Sequence, residues 1–247
     1  MIVYLGIMKS QSSIPQIKRV LERERPSLLQ SFYYDRTRTL SNVSDDIMYD
    51  SGAFTMFSSC KNTSSIDWNA YADEYADFIR NNKIKLYIEL DIDSIVGYER
   101  VKVLRRRIEE RVGWKCIPVW HKSRGLIDFF NSCVKYRYVS IGGIVSKEIK
   151  ASEYFHLKTL INEAHKRDCK IHGLGFTKID LLSEYKFDSV DSISWKTGNM
   201  FGHCYHFDGK RMLTIKKNGF KMIGGRDAFA NDLNEWIKFQ KYAKEYL

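Results

Sequence analysis

The chain has 247 residues and a formal net charge of +10, which comes from 40 Lys and Arg against 30 Asp and Glu. Apolar residues make up 44% and charged residues 28%, proportions that are ordinary for a globular protein with a buried core. No apolar run approaches the length of a membrane span, and the first residues lack a basic signal region, so we expect a cytoplasmic protein with no membrane partner.

The excess of basic residues favours a polyanionic partner, above all a nucleic acid. The 15 Tyr, 14 Phe and 5 Trp suit base stacking and core packing equally, so they do not decide the matter. The five cysteines are scattered, and no pair of them has the spacing of metal ligands, so we expect free thiols, no metal and no cofactor. They are Cys60, Cys116, Cys133, Cys169 and Cys204.

Strand-like and helix-like segments alternate along the chain. Apolar, β-branched and aromatic runs predict strands at residues 2–7, 28–34, 47–50, 85–91, 115–120, 138–141, 170–174 and 189–194. Apolar positions at helical spacing predict helices around residues 68–79, 101–112 and 157–164, the first with Asp67 as its N-cap. The polar segment at residues 35–46 is predicted to hold little helix.

This alternation implies a parallel sheet with right-handed crossovers. About eight such units in this length fit a TIM (β/α)8-type barrel, and an open doubly wound sheet is the competing α/β architecture. No G-x-G-x-x-G follows the first strand, which counts against a dinucleotide-binding fold. We therefore predict one α/β domain over residues 1–247, with the barrel at 1–195 and a basic loop region and closing helix at 196–247.

The pattern changes after Trp195, where residues 196–226 are rich in glycine and in basic residues. We predict that this segment binds the phosphates of a nucleic acid, and the competing interpretation is a solvated surface loop. Residues 213–215 are a candidate extra strand, and residues 227–247 have the apolar spacing of a helix. The predicted phosphate contacts are Lys196, Lys210, Arg211, Lys216, Lys217, Lys221 and Arg226.

Polar residues and glycines gather where the predicted strands end. In a parallel barrel those ends lie on one rim, where TIM-barrel active sites are built, so carboxylates far apart in sequence would converge on one pocket. Glycines there would let the backbone approach a flat ligand closely. The residues are Asp50, Ser51, Gly52, Asp91, Asp93, Trp120, His121, Gly142, Gly143, His172, Asp191 and Trp195.

Several of these residues also have a purely structural interpretation. On its own run, Asp191 is better explained as a strand-end cap, and Asp93 and His121 also fit helix caps. The pair 142–143 fits a tight turn, and His172 fits a hydrogen-bonded structural histidine. Their shared position at the strand ends is what favours the functional interpretation.

Four short motifs resemble those of the tRNA-guanine transglycosylases, in the same order along the chain. Residues 50–54, D-S-G-A-F, resemble the family's D-S-G-G-F, and residues 141–145, I-G-G-I-V, resemble its G-G-L-A-V. Residues 172–175, H-G-L-G, are similar to its L-M-G-V-G strand. Residues 187–192, F-D-S-V-D-S, resemble the V-D-M-F-D-C run that carries its nucleophilic aspartate. The resemblance covers about residues 45–200.

The wording of these motifs is closer still to short phage and bacterial relatives, including the DpdA-type enzymes, which act on DNA. The tRNA enzymes carry a zinc site of three cysteines and a histidine after the barrel, whereas only Cys204 follows Asp191 here. The family's zinc subdomain is therefore expected to be absent, and DNA is favoured over tRNA as the partner. The family's glutamine at the end of the fifth strand is replaced near Trp120 and His121.

The resemblance implies a reaction at the sugar C1′ that proceeds like that of a retaining glycosidase. Asp191 would be the nucleophile and Asp50 would carry the proton, with about 5–5.5 Å between the two carboxyl groups. Asp91, or less directly Asp93, would accept N–H groups of a base flipped out of its stack. The predicted base pocket also contains Ser51, Gly52, Trp120, His121, Gly142, Gly143, His172 and Trp195, with aromatic rings for stacking.

The fate of the covalent intermediate separates the alternatives. Water would make the protein a glycosylase that excises a modified base, which suits a role in phage defence. An incoming free base would make it a transglycosylase that inserts a 7-deazaguanine. The departures in the base pocket tilt our prediction to base excision. A third class stays open: a catalytically silent nucleic-acid-binding barrel, or a barrel lyase or aldolase on a small phosphorylated substrate. The sequence leaves the target base, the oligomeric state and any partner protein open.

Overall fold

The structure is a computed structural model that describes residues 1–60, 66–216 and 225–247. Seven parallel strands form its central sheet, and each lies within a predicted strand. They are β1 (Ile2–Gly6), β2 (Leu28–Ser31), β3 (Ile47–Asp50), β4 (Val119–Trp120), β5 (Tyr138–Ile141), β6 (Lys170–Gly173) and β7 (Ser189–Ser192). Their spatial order is β3-β2-β1-β7-β6-β5-β4, so β1 and β7 pair at the centre.

The fourth predicted strand in chain order, residues 85–91, is not a strand of this sheet. It forms isolated parallel bridges instead: Tyr87 pairs with Tyr49 of β3, and Ile88 pairs with Ile117 just before β4. Backbone hydrogen bonds run from Ile88 N to Tyr49 O (2.8 Å) and from Glu89 N to Ile117 O (3.1 Å). The segment thus bridges the two edges of the sheet, at β3 and just before β4. The observed architecture is a curled seven-strand sheet rather than the predicted eight-strand barrel.

Helices follow most of the strands and pack on the outer face of the sheet. Within the described ranges no helix combines the length and the apolar character needed to cross a membrane. The helices are α1 (Lys9–Ser12), α2 (Pro15–Glu24), α3 (Ala53–Ser59), α4 (Trp68–Asn81), α5 (Asp93–Val96), α6 (Tyr98–Val112), α7 (Gly125–Lys135), α8 (Phe155–His165), α9 (Ile179–Tyr185), α10 (Thr197–Met200) and α11 (Gly225–Tyr246).

Helix α4 begins with the N-cap that the sequence predicts. Asp67 Oδ1 accepts hydrogen bonds from the backbone N–H groups of Asn69 (2.9 Å) and Ala70 (3.1 Å). We expect Asp67→Ala to lower the free energy of unfolding by about 1 kcal/mol, because both donors lose their partner. Urea denaturation measures this change, with Asp67→Ser as a control that keeps an acceptor at the cap. Equal stabilities of the alanine variant and the wild type would contradict it.

The buried apolar side chains form two layers, one on each face of the sheet. Side chains alternate along a strand, so Tyr4 points to the inner, concave face while Val3 and Leu5 pack toward the helices. The outer layer is much the larger and joins the sheet to the helices. The inner layer comes from the strands, from the segment around residue 88 and from residues next to the ends of β4 and β6, and its buried members are Tyr4, Met48, Ile88, Ile117 and Val119.

An antiparallel hairpin follows the sheet, formed by β8 (His203–Phe207) and β9 (Met212–Lys216). The sequence predicted only the middle of its second strand. Two buried carboxylates of α11 hold the first strand: Asp232 Oδ1 accepts the N–H of Tyr205 (2.8 Å), and Glu235 Oε2 accepts the N–H of Phe207 (2.7 Å). The hairpin is thereby fixed to the last helix, while most of β9 is exposed.

Helix α11 occupies the position of the predicted closing helix. Gln240 is its main polar contact with the sheet: the side-chain amide donates to Val3 O (2.5 Å) and Ser27 O (2.8 Å), and its oxygen accepts the N–H of Ser27 (3.1 Å). These bonds satisfy backbone groups at the amino ends of β1 and β2. The last helix therefore packs against the amino ends of β1 and β2.

Candidate active site

Two aspartates from distant parts of the chain meet on the inner face of the sheet. Asp50 is the last residue of β3, two positions after the inward-facing Met48, so its side chain points the same way. Asp191 pairs in register with the inward-facing Tyr4 of β1 and shares its face. Because all seven strands run parallel, both carboxyl groups lie toward the carboxyl end of the sheet, as the sequence predicts.

Asp50 has a strongly perturbed carboxyl group. Burial raises its pKa, the negative charges of Asp91 and Asp191 raise it further, and hydrogen bonds from the N–H groups of Gly52 and Ser51 lower it. The result is a pKa of about 7. The N–H of Gly52 lies 3.2 Å from Asp50 Oδ2. Asp50 therefore holds its proton far more strongly than an ordinary aspartate, and it shares one electrostatic environment with two other carboxylates.

Asp191 is held differently. Its Oδ1 accepts the N–H of Gly175 (2.6 Å), and Nε2 of His172 lies 3.3 Å from the same oxygen. In the part of the chain that the structure describes, no hydrogen bond reaches the second oxygen, Oδ2. The carboxylate is thus oriented through one oxygen while the other is left available for a ligand.

Asp91 and His121, both predicted to contact a base, bind each other. Nε2 of His121 lies 2.7 Å from Asp91 Oδ1, and Nδ1 lies 2.9 Å from Glu148 Oε2. Burial lowers the pKa of His121, but the hydrogen bond and charge of Asp91, with the charge of Asp93 and the hydrogen bond to Glu148, outweigh it and raise the pKa to about 9. His121 is therefore an imidazolium at neutral pH that donates to two carboxylates.

Asp93 serves a buried ion-pair network rather than an open pocket. Arg124 donates from its guanidinium to Asp93 Oδ2 (2.9 Å) and lies 3.6 Å from Glu89 Oε1. Arg105 completes the network at 2.8 Å from Glu89 Oε2. Sequence reasoning missed these partners, although a carboxylate inside the apolar run 86–90 was a usable signal, because an unpaired charge there would be costly.

The two glycines at 142 and 143 make room for the His121–Glu148 pair. A Cβ at Gly142 would lie 2.7 Å from Val119 Cγ1 and 2.9 Å from His121 Cε1, and a Cβ at Gly143 would lie 2.8 Å from Glu148 Oε2. The positive φ of Gly143 (+79°) also disfavours any side chain. These glycines therefore face protein side chains, and not the ligand that the sequence predicts.

Ser51 and Gly52 shape the turn that carries Asp50. Ser51 donates from its hydroxyl to Glu89 O (3.1 Å), and its own carbonyl accepts the hydroxyl of Tyr71 (2.6 Å). Gly52 has a φ of +67°, and a Cβ there would lie 2.3 Å from Ser31 Oγ. Both residues therefore position the carboxyl group of Asp50 through contacts within the protein.

The two tryptophans predicted to stack on a base lie in the core, so that prediction is wrong for the structure as it stands. Trp195 is fully buried and donates its indole N–H to Gly6 O (3.0 Å). Trp120 is 3% exposed, donates to Gly125 O (2.9 Å) and packs edge-on against Phe129. Neither ring presents a free face to a ligand.

Exposed apolar side chains follow several strand ends, and sequence reasoning missed them. Phe54 after β3 is 59% exposed, Val145 after β5 is 76% exposed and Ile193 after β7 is 58% exposed. Tyr34, which follows β2, is 46% exposed and contacts Tyr33 edge-on. These side chains follow the carboxyl ends of the strands and supply exposed apolar surface there.

The predicted phosphate contacts divide into three groups. Lys196 is half-buried, and burial lowers its pKa to about 8. The predicted contacts on the hairpin and at the start of α11 are exposed, and they are Lys210, Arg211, Lys216 and Arg226. Lys217 and Lys221 lie outside the described residues.

One cluster in the described residues has the proximity of metal ligands. A ligand atom from each of Asp91, Asp93 and His121 lies within 4.8 Å of the others. The protonated imidazole of His121 repels a cation, so binding would require the loss of that proton. The prediction that the protein uses no metal is untested by this arrangement.

Two cavities in the described part of the chain lie at the opposite end of the sheet. The larger, about 670 Å³, is lined by residues from the amino ends of β5, β6 and β7, and the smaller, about 290 Å³, by residues around β3 and the segment 83–86. Neither includes Asp50 or Asp191. The carboxylates therefore lie at the face that the sequence predicts, away from these cavities.

No family model matches the chain, and no curated protein matches it either. The likeness to the tRNA-guanine transglycosylases therefore depends on the four short motifs. The aspartates of the first and last of these motifs lie on the same face of the sheet.

Proposed function

We propose that the protein cleaves the N-glycosidic bond of a nucleotide in a nucleic acid, and that DNA is its substrate. The observation that carries the proposal is that the carboxyl groups of Asp50 and Asp191, from distant strands, lie on the same inner face at the carboxyl end of the sheet. The charge of Asp191 acts on Asp50 there and, with burial and the charge of Asp91, raises its pKa to about 7. A carboxyl group that holds a proton near neutral pH, beside an oriented carboxylate, is the arrangement that retaining glycosidases use for an acid and a nucleophile.

In the proposed reaction Oδ2 of Asp191 attacks C1′, and the C1′–N bond breaks as the new C1′–O bond forms. The electron pair passes to the base, which takes a proton from Asp50. A water molecule then attacks C1′ and gives a proton to the Asp50 carboxylate. The bond to Asp191 breaks, so the net change is hydrolysis with both carboxyl groups restored.

The fold supports this proposal if residues 85–90 act as an eighth strand. Their backbone hydrogen bonds to β3 on one side and to the residues before β4 on the other would close the curled sheet into a TIM-type barrel. The carboxylates would then lie at the mouth of that barrel. The second oxygen of Asp91 would accept N–H groups of the target base, while its first oxygen holds His121.

The experiment that tests the function is incubation of the protein with plain, 7-deazaguanine-containing and glucosylated DNA, and with tRNA. Mass spectrometry then identifies any free base and any abasic site in the strand. We expect a free base and an abasic site from one of the DNA substrates. Incorporation of a labelled free base, without an abasic site, would replace hydrolysis by base exchange. No release from any substrate would overturn the proposal.

The basic hairpin turn gives a prediction about binding. Lys210 and Arg211 are exposed between β8 and β9, and their backbone N–H groups bind Asp208 Oδ1 (2.9 and 2.7 Å). The guanidinium of Arg211 also lies 3.7 Å from Asp208 Oδ2, an exposed pair that a phosphate can replace. We expect the double variant Lys210→Ala, Arg211→Ala to bind DNA more weakly. The slope of log K against log salt is negative, and we expect its magnitude to decrease by about 2. Fluorescence anisotropy across a salt series measures the slope.

Lys158 provides the matched control for the hairpin variant. It is exposed on α8, an outer helix, and carries one positive charge, as does each of the two hairpin residues. Its substitution by alanine should leave the slope as in the wild type. Equal slopes for all three proteins would show that phosphates do not contact the hairpin turn.

A further inference from the structure

A buried polar chain leads from Asp191 into the interior of the sheet. Nδ1 of His172 lies 2.6 Å from Ser189 Oγ, and Ser189 in turn makes a short hydrogen bond with the hydroxyl of Tyr138. His172 and Ser189 are fully buried and pair in register on β6 and β7. At the other end of the chain, Nε2 of His172 faces Asp191 Oδ1 at 3.3 Å.

The charge of Asp191 decides the direction of the hydrogen bonds in this chain. An ionised carboxylate requires a proton on Nε2 of His172, because a lone pair there would face a negative oxygen. In the tautomer with its one proton on Nε2, Nδ1 is an acceptor, so Ser189 donates to it and Tyr138 donates to Ser189. Burial raises the pKa of Tyr138, which keeps its hydroxyl protonated for this purpose.

The contact between His172 and Asp191 is close but not aligned. Nε2 of His172 is a buried polar atom that makes no hydrogen bond in the part of the chain that the structure describes, although Asp191 Oδ1 is only 3.3 Å away. The same oxygen already accepts the N–H of Gly175. An orphaned buried donor costs free energy unless a ligand or a changed charge uses it.

We infer that His172 is a positioning residue for the nucleophile, and that Ser189 and Tyr138 fix its tautomer. The inference deepens the proposed function and depends on it. The N–H of Gly175 holds Oδ1 by a hydrogen bond, and the Nε2–H group of His172, 3.3 Å from the same oxygen, attracts its negative charge, so Oδ2 faces the sugar. As C1′ bonds to Oδ2, His172 and Gly175 keep the carboxylate from rotating.

Two substitutions at one site separate positioning from packing. His172→Phe keeps a ring of similar size without a donor, and His172→Gln keeps an amide donor near the position of Nε2. We expect the phenylalanine variant to lower kcat by about 10²-fold with KM unchanged, since misplacing a reacting group by about 1 Å has that effect. The glutamine variant should recover most of the rate. Equal rates for both variants and the wild type would overturn the inference.

Tyr138→Phe is a milder test that keeps the fold, because Tyr138 is only half-buried and lines the larger cavity. Losing one hydrogen bond in the chain should lower kcat by about 5-fold. In the His172→Phe background the same change should have no effect, because the chain is already broken. An equal effect in both backgrounds would show that Tyr138 acts independently of His172, and would overturn the chain.

A readout without substrate keeps the two proposals distinguishable. Nitrogen-15 NMR of His172 should show the neutral ring with the proton on Nε2, and Tyr138→Phe should shift the Nδ1 signal. A proton on Nδ1 would overturn the inference even in an active enzyme. If wild-type protein releases no base from any nucleic acid, the proposed function fails and the positioning role fails with it, whatever the NMR spectrum shows.

Discussion

Asp191→Asn should abolish base release while DNA binding stays intact. An amide oxygen is a poor nucleophile, so we expect the rate to fall at least about 10³-fold, as with the loss of other nucleophiles. The substitution keeps the shape of the side chain, and the asparagine oxygen still accepts the N–H of Gly175 that lies 2.6 Å away. Single-turnover mass spectrometry of freed base measures the rate, and anisotropy measures binding.

Asp188 provides a control for Asp191 from the opposite end of the same strand. It precedes β7, and its Oδ2 accepts the N–H of Ile171 (2.7 Å) and contacts Nε2 of His165 (2.8 Å). We expect Asp188→Asn to lose some stability and to keep the rate of base release per folded molecule. A normal rate for Asp191→Asn, or equal losses at the two positions, would contradict the assignment of the nucleophile.

The covalent intermediate offers a second view of the same prediction. Acid quenching during turnover should leave a protein–DNA adduct in the wild type, because the glycosyl ester lies between two chemical steps. Asp191→Asn should form no adduct. A peptide map of the wild-type adduct should place the bond at residue 191, and a bond at Asp50 would exchange the roles of the two carboxyl groups.

The sequence predicted strand positions well where a run was both apolar and β-branched. Residues 47–50 and 138–141 have the same bounds in the structure as in the prediction. Strand β8 was missed because His203, Tyr205 and Phe207 face the last helix while His206 is exposed, so the run has no apolar alternation along the chain. Its hydrogen bonds to buried carboxylates of α11 depend on residues about 30 positions later.

The candidate site was predictable in position and not in its internal contacts. Asp50 and Asp191 both end inward-facing alternations in parallel strands, and that rule requires only local pattern. The pairing of His121 with Asp91 and Glu148 depends on loops 27 to 30 residues away, and no spacing rule predicts such contacts. Trp195 was misassigned because its burial depends on a contact with Gly6, nearly 190 residues earlier.

Asp50→Asn should remove the acid that protonates the leaving base. We expect kcat/KM to fall about 10²- to 10⁴-fold, the usual range for general acid catalysis. In the wild type the proton must be present in the free enzyme, so kcat/KM should fall about tenfold per pH unit above a midpoint of about 7. The variant should lose this dependence, and a pH–rate profile of both proteins from pH 5 to 9 measures it.

Asp91→Asn tests the cause of the pKa shift in Asp50. Burial raises that pKa most, and the charge of Asp91 is the next largest contribution. Removing this charge should move the midpoint of the pH–rate profile below 7 without removing the dependence itself. A midpoint that stays in place would show that the charge of Asp91 does not contribute to the shift.

The free energy of unfolding of Asp50→Asn, compared with that of the wild type, should also depend on the ionisation of Asp50. The folded-state pKa of about 7 lies above the ordinary value of 3.8, so folding favours the protonated form. Its contribution to stability is complete below pH 3.8 and is lost as pH rises through about 7. Asparagine does not titrate, so the variant should gain stability relative to the wild type between pH 4 and 8, by at most about 4 kcal/mol. Urea denaturation measures the free energies of unfolding of both proteins, and a difference between them that stays constant across that range would mean that Asp50 ionises as it does in water. Such a carboxyl group would be almost fully ionised at neutral pH and could not protonate a leaving base.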